Sequence, residues 1–465
     1  MLLEARDRPG GLAHQWQRDG FTFDAGPTVL TDPDSLAELW RLTGHDIARD
    51  VALEPVRPFY RLSWPDGSQF DYSHDEAQFR QEVARFGADD LAGYERFLDY
   101  SDSLCREVYR TLGSTDFPDL SSMLKAGPML TRFQAWRSVH SMVSGFVRDE
   151  KLRQILSFHT LLIGGNPLTA SAVYAMAPKL EKECGLWYPR GGVGQLIAAL
   201  VAQFERIGGT IRLGDPVARI ETVGDRATAV ETRAGWRGKA DAVVSNADLM
   251  HSYRDLLRDH PRGPAKADKL ARKQWTPSFF ALHFGIRGTW PGIPQHMLLF
   301  GPRYEALLTD IYQHGVLSGD LSLYLHHPTL TDPGLAPEGC SVFRALVPVP
   351  HLGKLPIDWE AMAPAYAERI LNEIERRLIP DIRSRILTQF TYTPADFERD
   401  QRLFRGSTGA LEPLLSQSAW LRPHNRDDVI GNFYLVGAGT HPGAGVPGVL
   451  AGARITARLI LEDLA

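Results

Sequence analysis

The stretch Leu2-Leu3-Glu4-Ala5-Arg6-Asp7-Arg8-Pro9-Gly10-Gly11 decides the fold class of this chain. A short apolar run stops at an acidic residue, and a tight turn with two glycines follows. The second strand of a Rossmann unit ends in this way. A carboxylate there, such as Glu4, accepts hydrogen bonds from the ribose hydroxyls of an adenine dinucleotide. In a complete unit a strand, a G-x-G-x-x-G turn and a helix lie roughly 20–30 residues upstream. Met1 falls where that second strand should be in mid-course, so a truncated or misassigned start is the expectation.

The other end of the chain carries a second signal. Tyr434-Leu435-Val436-Gly437-Ala438-Gly439-Thr440-His441-Pro442-Gly443-Ala444-Gly445-Val446-Pro447-Gly448-Val449 is a predicted buried strand that empties into a glycine-dense turn and opens a helix. Glycines let backbone approach a ligand closely, and a helix N-terminus offers free N–H groups and a positive dipole end. Such a site suits a pyrophosphate or the electron-rich edge of a reduced flavin; the bland alternative is a plain glycine-rich turn. Gly443 to Gly448 formally match G-x-G-x-x-G. That motif needs a following helix, a second strand and an acidic residue about 20 residues on. Gly448 lies 17 residues from the terminal Ala465, so the match is rejected as the primary dinucleotide turn.

Three smaller motifs accompany these ends. Asp24-Ala25-Gly26-Pro27-Thr28 follows the predicted strand Phe21-Thr22-Phe23; it reads as a loop fixed against a cofactor ribityl chain or as an ordinary turn. Ser245-Asn246-Ala247-Asp248 ends another predicted strand and by itself reads as a helix N-cap. Trp420-Leu421-Arg422-Pro423-His424-Asn425-Arg426-Asp427 concentrates polar groups just before the last strand, as a salt-bridged surface loop or a border of the cofactor site.

The 465 residues can hold two or more domains, and 43% apolar with 23% charged residues describes an ordinary folded protein. A net charge of −5 argues against a nucleic-acid partner. Cys105, Cys184 and Cys340 are far apart and odd in number, so neither a disulfide scaffold nor a cysteine metal site follows. No metal site is expected. No apolar run reaches the roughly 18 residues that span a membrane, and no secretion signal opens the chain. The expected location is the cytoplasm. Residues 120–148 depart from the acidic average: Lys125, Arg132, Arg137 and Arg148 occur with no acidic residue, and Met123, Met129, Phe133, Trp136, Met142 and Phe146 recur at near-helical spacing. A basic helix with such a face lies in a membrane interface or packs on a core.

The spacing predicts helices at 34–43 and 75–112, a hairpin at 55–72 turning at Pro65-Asp66-Gly67, a mostly helical region over 117–188, and a loop at 188–194 that leads into a helix ending near Ile207. Short strands follow over 211–244, a β-rich region over 275–350, a helix at 359–377 and a strand at 388–393. The cofactor-like pieces are scattered along the chain. The fold class is therefore α/β: a discontinuous Rossmann-like nucleotide domain without its first strand, turn and helix, and an inserted domain of helices and sheet.

These motifs resemble those of the bacterial and fungal phytoene desaturase family, FAD-dependent enzymes related to the amine oxidases. The resemblance covers essentially the whole chain. Its further carriers are Pro189-Arg190-Gly191-Gly192 and Val347-Pro348-Val349-Pro350-His351-Leu352-Gly353. It implies an FAD domain over 1–70, 188–255 and 405–465, and a substrate domain that associates with membranes over 71–187 and 256–404. It implies FAD contacts at Glu4, Arg6, Gly10, Gly11, Asp24, Gly26, Pro27, Thr28, Val217, Asn246, Gly437, Gly439, Thr440, Gly445, Val446, Pro447, Gly448 and Val449, with Glu4 on the ribose and Val217 near the adenine. It also implies a phytoene-like apolar polyene as substrate, hydride transfer to flavin N5, oxygen or a membrane quinone as electron acceptor, and peripheral attachment to a membrane surface. Phe158, Leu161, Leu162, Trp187 and Phe284 are the expected walls of an apolar tunnel. Leu12 departs from the pattern, since many relatives in the wider group place Arg directly after the Gly-Gly pair; the expectation is that one phosphate contact is either absent or supplied by Arg6 or Arg8. Two rival readings are an FAD-dependent carotenoid isomerase and a non-catalytic membrane-binding remnant.

Overall fold

A computed structural model describes residues 1–109, 113, 115–117 and 119–465, without the side chains of Tyr109 and Leu120. The end of the helix expected over 75–112 lies outside the described residues. Two parallel strand pairs anchor the nucleotide end. Leu2–Leu3 pairs with Ile211–Arg212, and Val243–Ser245 pairs with Phe433–Leu435. An antiparallel sheet of Val217–Val223, Arg226–Thr232 and Arg237–Lys239 sits beside them. Both ends of the chain thus meet the 188–250 region. The terminal helix Val446–Leu464 starts at Gly445, with Pro447 in its first turn, where a missing N–H costs no helical hydrogen bond.

The second region is built on a seven-stranded sheet. Its order is Ile386–Tyr392, Ser278–Arg287, Cys340–Val349, Leu323–His326, His296–Leu299, Tyr60–Ser63 and Gln69–Tyr72. Neighbours run antiparallel except His296–Leu299 beside Tyr60–Ser63. The strand Ser278–Arg287 is buried on both faces: helix Trp359–Arg377 covers one, with Phe280 packed against Trp359 and Tyr366, and Trp16 and Phe23 pack on His283 at the other. Each such fully buried side chain contributes roughly 1.5–3 kcal/mol. Asp358 starts that helix by accepting the Ala361 N–H at 3.1 Å. A further aromatic core of Tyr60, Tyr72, Phe79, Tyr94 and Phe97 joins the sheet edge to helices Glu76–Phe86 and Leu91–Leu104.

Two features differ from the sequence expectations. The 60–72 hairpin, grouped with the nucleotide segments by the boundary at residue 70, pairs with strands of the 256–404 segment. The basic segment 120–148 is two helices, Leu120–Arg132 and Val139–Val143, rather than one. Gln134 takes a left-handed φ of 48° between them, and Ser138 caps the second by accepting the Ser141 N–H. Much of its apolar spacing serves the core: Phe133, Val139, Met142 and Val143 are buried. Leu124 and Trp136 are not, at 69% and 62% exposed. Among the described residues, no helix is long and apolar enough to cross a membrane.

Candidate flavin and substrate cavity

One cavity of about 2040 Å³ reaches nearly every motif singled out in the sequence. Its wall includes Glu4, Arg6, Gly10, Gly11, Gly26, Pro27, Thr28, Val217, Asn246, Gly437, Gly439, Gly445, Val446, Pro447, Gly448 and Val449. Side chains from residues more than 400 apart in sequence therefore face one space. A pocket for a single drug-sized ligand is about 300–1,000 Å³, so this one has room for a dinucleotide and a second long molecule.

The glycines are required by close approaches. A Cβ on Gly26 would lie 2.5 Å from Ala13 Cα and 2.6 Å from the Leu12 carbonyl oxygen. One on Gly437 would meet Asn246 Nδ2 at 2.6 Å, and Gly437 has φ of 109°. Asn246 in turn donates to the Val436 carbonyl at 3.1 Å, tying the two strand ends together. Asp248 accepts the N–H groups of Met250 and His251, which makes it the cap that the sequence suggested. Burial pushes its carboxyl up to about 6.

At the N-terminal strand end, Glu4 Oε1 accepts the Arg6 N–H at 2.9 Å. The Arg6 guanidinium donates to the Gly11 carbonyl at 3.3 Å and lies 3.1 Å from His14 Nδ1. Burial, then the Arg6 charge, holds the His14 imidazole down at about 4. Arg8 turns away to pair with Asp7 on the surface, so of the two candidate substitutes only Arg6 faces the cavity.

Two expected contact residues stand behind the wall rather than on it. Asp24 is buried, and its carboxylate accepts from Tyr188 Oη at 2.6 Å, Gln15 Nε2 at 2.9 Å and the Val193 N–H at 3.0 Å. It fixes the Gly26-Pro27-Thr28 loop to the start of helix Val193–Arg206. Burial raises its pKa against those hydrogen bonds. Thr440 is also buried, with its hydroxyl donating to the Gly437 carbonyl at 3.0 Å. The Trp420–Asp427 segment braces the same turn from outside. Arg422, 2% exposed, donates to the carbonyls of Thr440 at 3.0 Å and Ala438 at 2.7 Å. Asn425 donates to Thr456 Oγ1 at 3.1 Å.

The rest of the cavity is mostly apolar. Met123 and Leu130 come from helix Leu120–Arg132; Leu161, Leu162 and Ile163 from one short turn; Val173, Tyr174 and Met176 from another; Leu298, Phe300 and Leu323 from the sheet. Leu161 and Leu162 are where the tunnel expectation put them. Phe158, Trp187 and Phe284 are not on this wall. Phe158, at the start of a helical turn, packs on Tyr60 and Tyr72 in one core, and Phe284, on its strand, stacks on Phe343 in another.

Sequence reading missed the polar groups that the sheet brings to this wall. Tyr324 Oη lies 2.7 Å from Thr28 Oγ1 and 2.6 Å from His296 Nδ1. Burial holds His296 down at about 3. Glu181 accepts from Tyr60 Oη at 2.8 Å and sits 3.0 Å from His159 Nε2. Arg344 reaches the Gly26 carbonyl at 2.7 Å. A lone charge inside Cys340-Ser341-Val342-Phe343-Arg344-Ala345-Leu346-Val347 was the available signal.

A glycine-lined cradle, a strand-end carboxylate and a helix N-terminus on one cavity fit the ribose, pyrophosphate and ring system of FAD. The profile of the flavin-containing amine oxidoreductase family matches residues 1–461. The chain belongs to that family. It is an FAD-dependent oxidoreductase. It is 52% identical over 464 residues to a lycopene-forming phytoene desaturase of a Paracoccus species, with 100% of this chain and 93% of the relative covered. It is 46% identical over 464 residues to the lycopene-forming phytoene desaturase of Pantoea ananas, covering 100% of this chain and 94% of the relative. Among solved structures, an oxidoreductase from Methanosarcina mazei superposes with a TM-score of 0.65 at 15% identity, over 98% of this chain and 93% of that one, and so shares the fold.

Proposed function

We propose that this protein is an FAD-dependent carotenoid desaturase that draws a phytoene-like polyene from a membrane and lengthens its conjugated system. The observation that carries the reading is the single cavity: a cofactor cradle continuous with an apolar wall large enough for a long second molecule. The full-length similarity to phytoene desaturases supplies the substrate class.

When bound, FAD supplies a two-electron acceptor; the protein supplies position and dryness. Glu4 is assigned to the ribose, Arg6 and the Gly10-Gly11 turn to the flavin side, and Gly437 to Val449 to pyrophosphate and ring system. Asp24 and Thr440 act from behind, holding the Gly26–Thr28 and Gly437–Val449 turns. Val217 and Asn246 line the adenine side. The apolar residues from Met123 to Leu323 hold a polyene in line and exclude water. Segments 1–70, 188–255 and 405–465 are assigned to FAD and the remainder to substrate, with the 60–72 hairpin contributing to the substrate sheet.

Peripheral membrane attachment is part of this proposal. Met123 and Leu130 face the cavity, while Leu124 on the same helix, next to Lys125 in sequence, and Trp136 in the turn after it are exposed. A helix with an exposed apolar residue and basic neighbours lies in a headgroup layer. Oxygen or a membrane quinone would reoxidise the flavin. The test is to incubate purified protein with FAD and phytoene in anionic vesicles and separate the pigments. Coloured products that have lost hydrogen pairs support the reading. Unchanged phytoene with a flavin-loaded protein opposes it, and geometric isomers of unchanged mass point to an isomerase.

A further inference from the structure

Arg344 is a buried cation that forms no ion pair among the described residues. It lies in the middle of the strand Cys340–Val349 and is 6% exposed. Nη1 donates to the Gly26 carbonyl at 2.7 Å, and Nε has no hydrogen-bond partner. Among the described residues no carboxylate lies within ion-pair distance of it. Asp24 attracts it through space, but the Asp24 carboxylate makes its hydrogen bonds to Tyr188, Gln15 and Val193 rather than to Arg344. The remaining neighbours are Tyr324 and the histidines His14, His283 and His326, and burial keeps all three imidazoles neutral near pH 7. Burial draws the guanidinium itself down, to about 10, so it stays charged.

An unpaired buried charge is costly, and proteins retain one where a ligand or reaction supplies the opposite charge. Arg344 lines the same cavity as Gly26, Pro27 and Thr28. We infer that Arg344 is the electrostatic partner of the negative charge that substrate oxidation places on the bound flavin. This deepens the proposed FAD site and rests on it. The charge balance is simple. The substrate C–H bond breaks with both electrons leaving with the hydrogen. That hydride adds one proton and two electrons to a neutral ring, which gains one negative charge. The substrate cation then loses a proton from the adjacent carbon as the new double bond forms, and that proton is released to solvent. A fixed cation at this wall favours the charged product state and raises the flavin's two-electron potential.

Sulfite provides a readout independent of polyene turnover, because its addition to oxidised flavin also leaves one negative charge on the ring. The measurement is the sulfite dissociation constant and the two-electron potential of wild type, Arg344→Met and Arg344→Lys, each loaded with FAD. Arg344→Met should bind sulfite at least about tenfold more weakly, with its potential lowered by about 30 mV for each tenfold change. Arg344→Lys should stay within about threefold of wild type, because it keeps the charge. Equal sulfite affinity and potential in Arg344→Met and wild type would overturn the assignment. If Arg344→Met does not fold, Arg344→Gln replaces it under the same criteria. A wild type that holds no flavin under saturating FAD would instead remove the FAD reading on which the assignment stands.

Discussion

Substituting Gly26 by alanine should separate packing from backbone strain at the cofactor cradle. Gly26 sits where the loop after strand Phe21–Asp24 crosses the turn Gly11–Ala13. The new Cβ would lie 2.5 Å from Ala13 Cα, and ordinary contact starts at 3.4 Å, so the two backbones must part by about 0.9 Å. Neither contact atom belongs to a side chain that could swing aside. Overpacking of this kind costs about 1–3 kcal/mol. If FAD draws the two loops together, the cost falls on the bound state, and affinity should drop about 10- to 100-fold at 1.4 kcal/mol per decade. Gly67→Ala, in the hairpin turn away from the cavity, is the control. Its Cβ meets nothing within 4 Å, but φ is 83°. It should lose about 1–2 kcal/mol of stability through the left-handed backbone and keep its FAD affinity. The assay is flavin absorbance per mole of protein after gel filtration, with FAD titration and thermal midpoints alongside. Stoichiometric FAD and a wild-type midpoint in Gly26→Ala would refute the close approach on which the cradle rests.

Three other outcomes follow from the same geometry. Arg422→Met should leave the Thr440 and Ala438 carbonyls without their donor; stability should fall by about 2–4 kcal/mol and FAD binding by at least about tenfold, and an unchanged FAD titration would remove Arg422 as the brace of the glycine turn. His327 is held down at about 4 by burial, against 6.5 for an ordinary imidazole, so the unfolded chain takes up its proton first and stability is lost as pH falls below 6.5. His327 alone removes about 2 kcal/mol by about pH 5, and urea midpoints measured between neutrality and that pH should fall less steeply in His327→Gln, with parallel profiles contradicting the assignment. Leu124→Glu combined with Trp136→Glu should lower co-sedimentation with anionic vesicles at least about tenfold, since each exposed side chain stands to gain roughly 2 kcal/mol from burial, whereas unchanged sedimentation would place the membrane contact elsewhere.

Much of the nucleotide end was legible because its chemistry is local. Leu3-Glu4, Gly10-Gly11 and Gly437 to Val449 carry turn geometry in the residues themselves, and a glycine forced by a close approach is visible as a glycine. The helix at 359–377 and the hairpin turn at Pro65-Asp66-Gly67 were legible for the same reason. What escaped depends on long-range pairing. Arg344 reaches Gly26 only because strand Cys340–Val349 crosses the loop after Phe21–Asp24, 318 residues away in sequence. Asp24 looked like a cofactor contact because it sits beside Gly26, but the fold turns its carboxylate inward to Tyr188 and Val193. In segment 120–148, apolar spacing could not distinguish a core face from a membrane face. Phe133 and Met142 went inward, while Leu124 and Trp136 stayed outside. Apolarity alone makes Phe158, Trp187 and Phe284 candidate tunnel walls, and apolarity does not say which layer a side chain enters.

The central claim is that hydrogen leaves a long polyene and arrives on FAD in this cavity. Anaerobic mixing of the FAD-loaded protein with phytoene in vesicles tests it most directly, with the flavin spectrum and the pigment mass followed together. The account predicts bleaching of the oxidised flavin band, matched mole for mole by polyene that has lost a hydrogen pair. A flavin that stays oxidised while phytoene is unchanged, or is merely isomerised at constant mass, would contradict it.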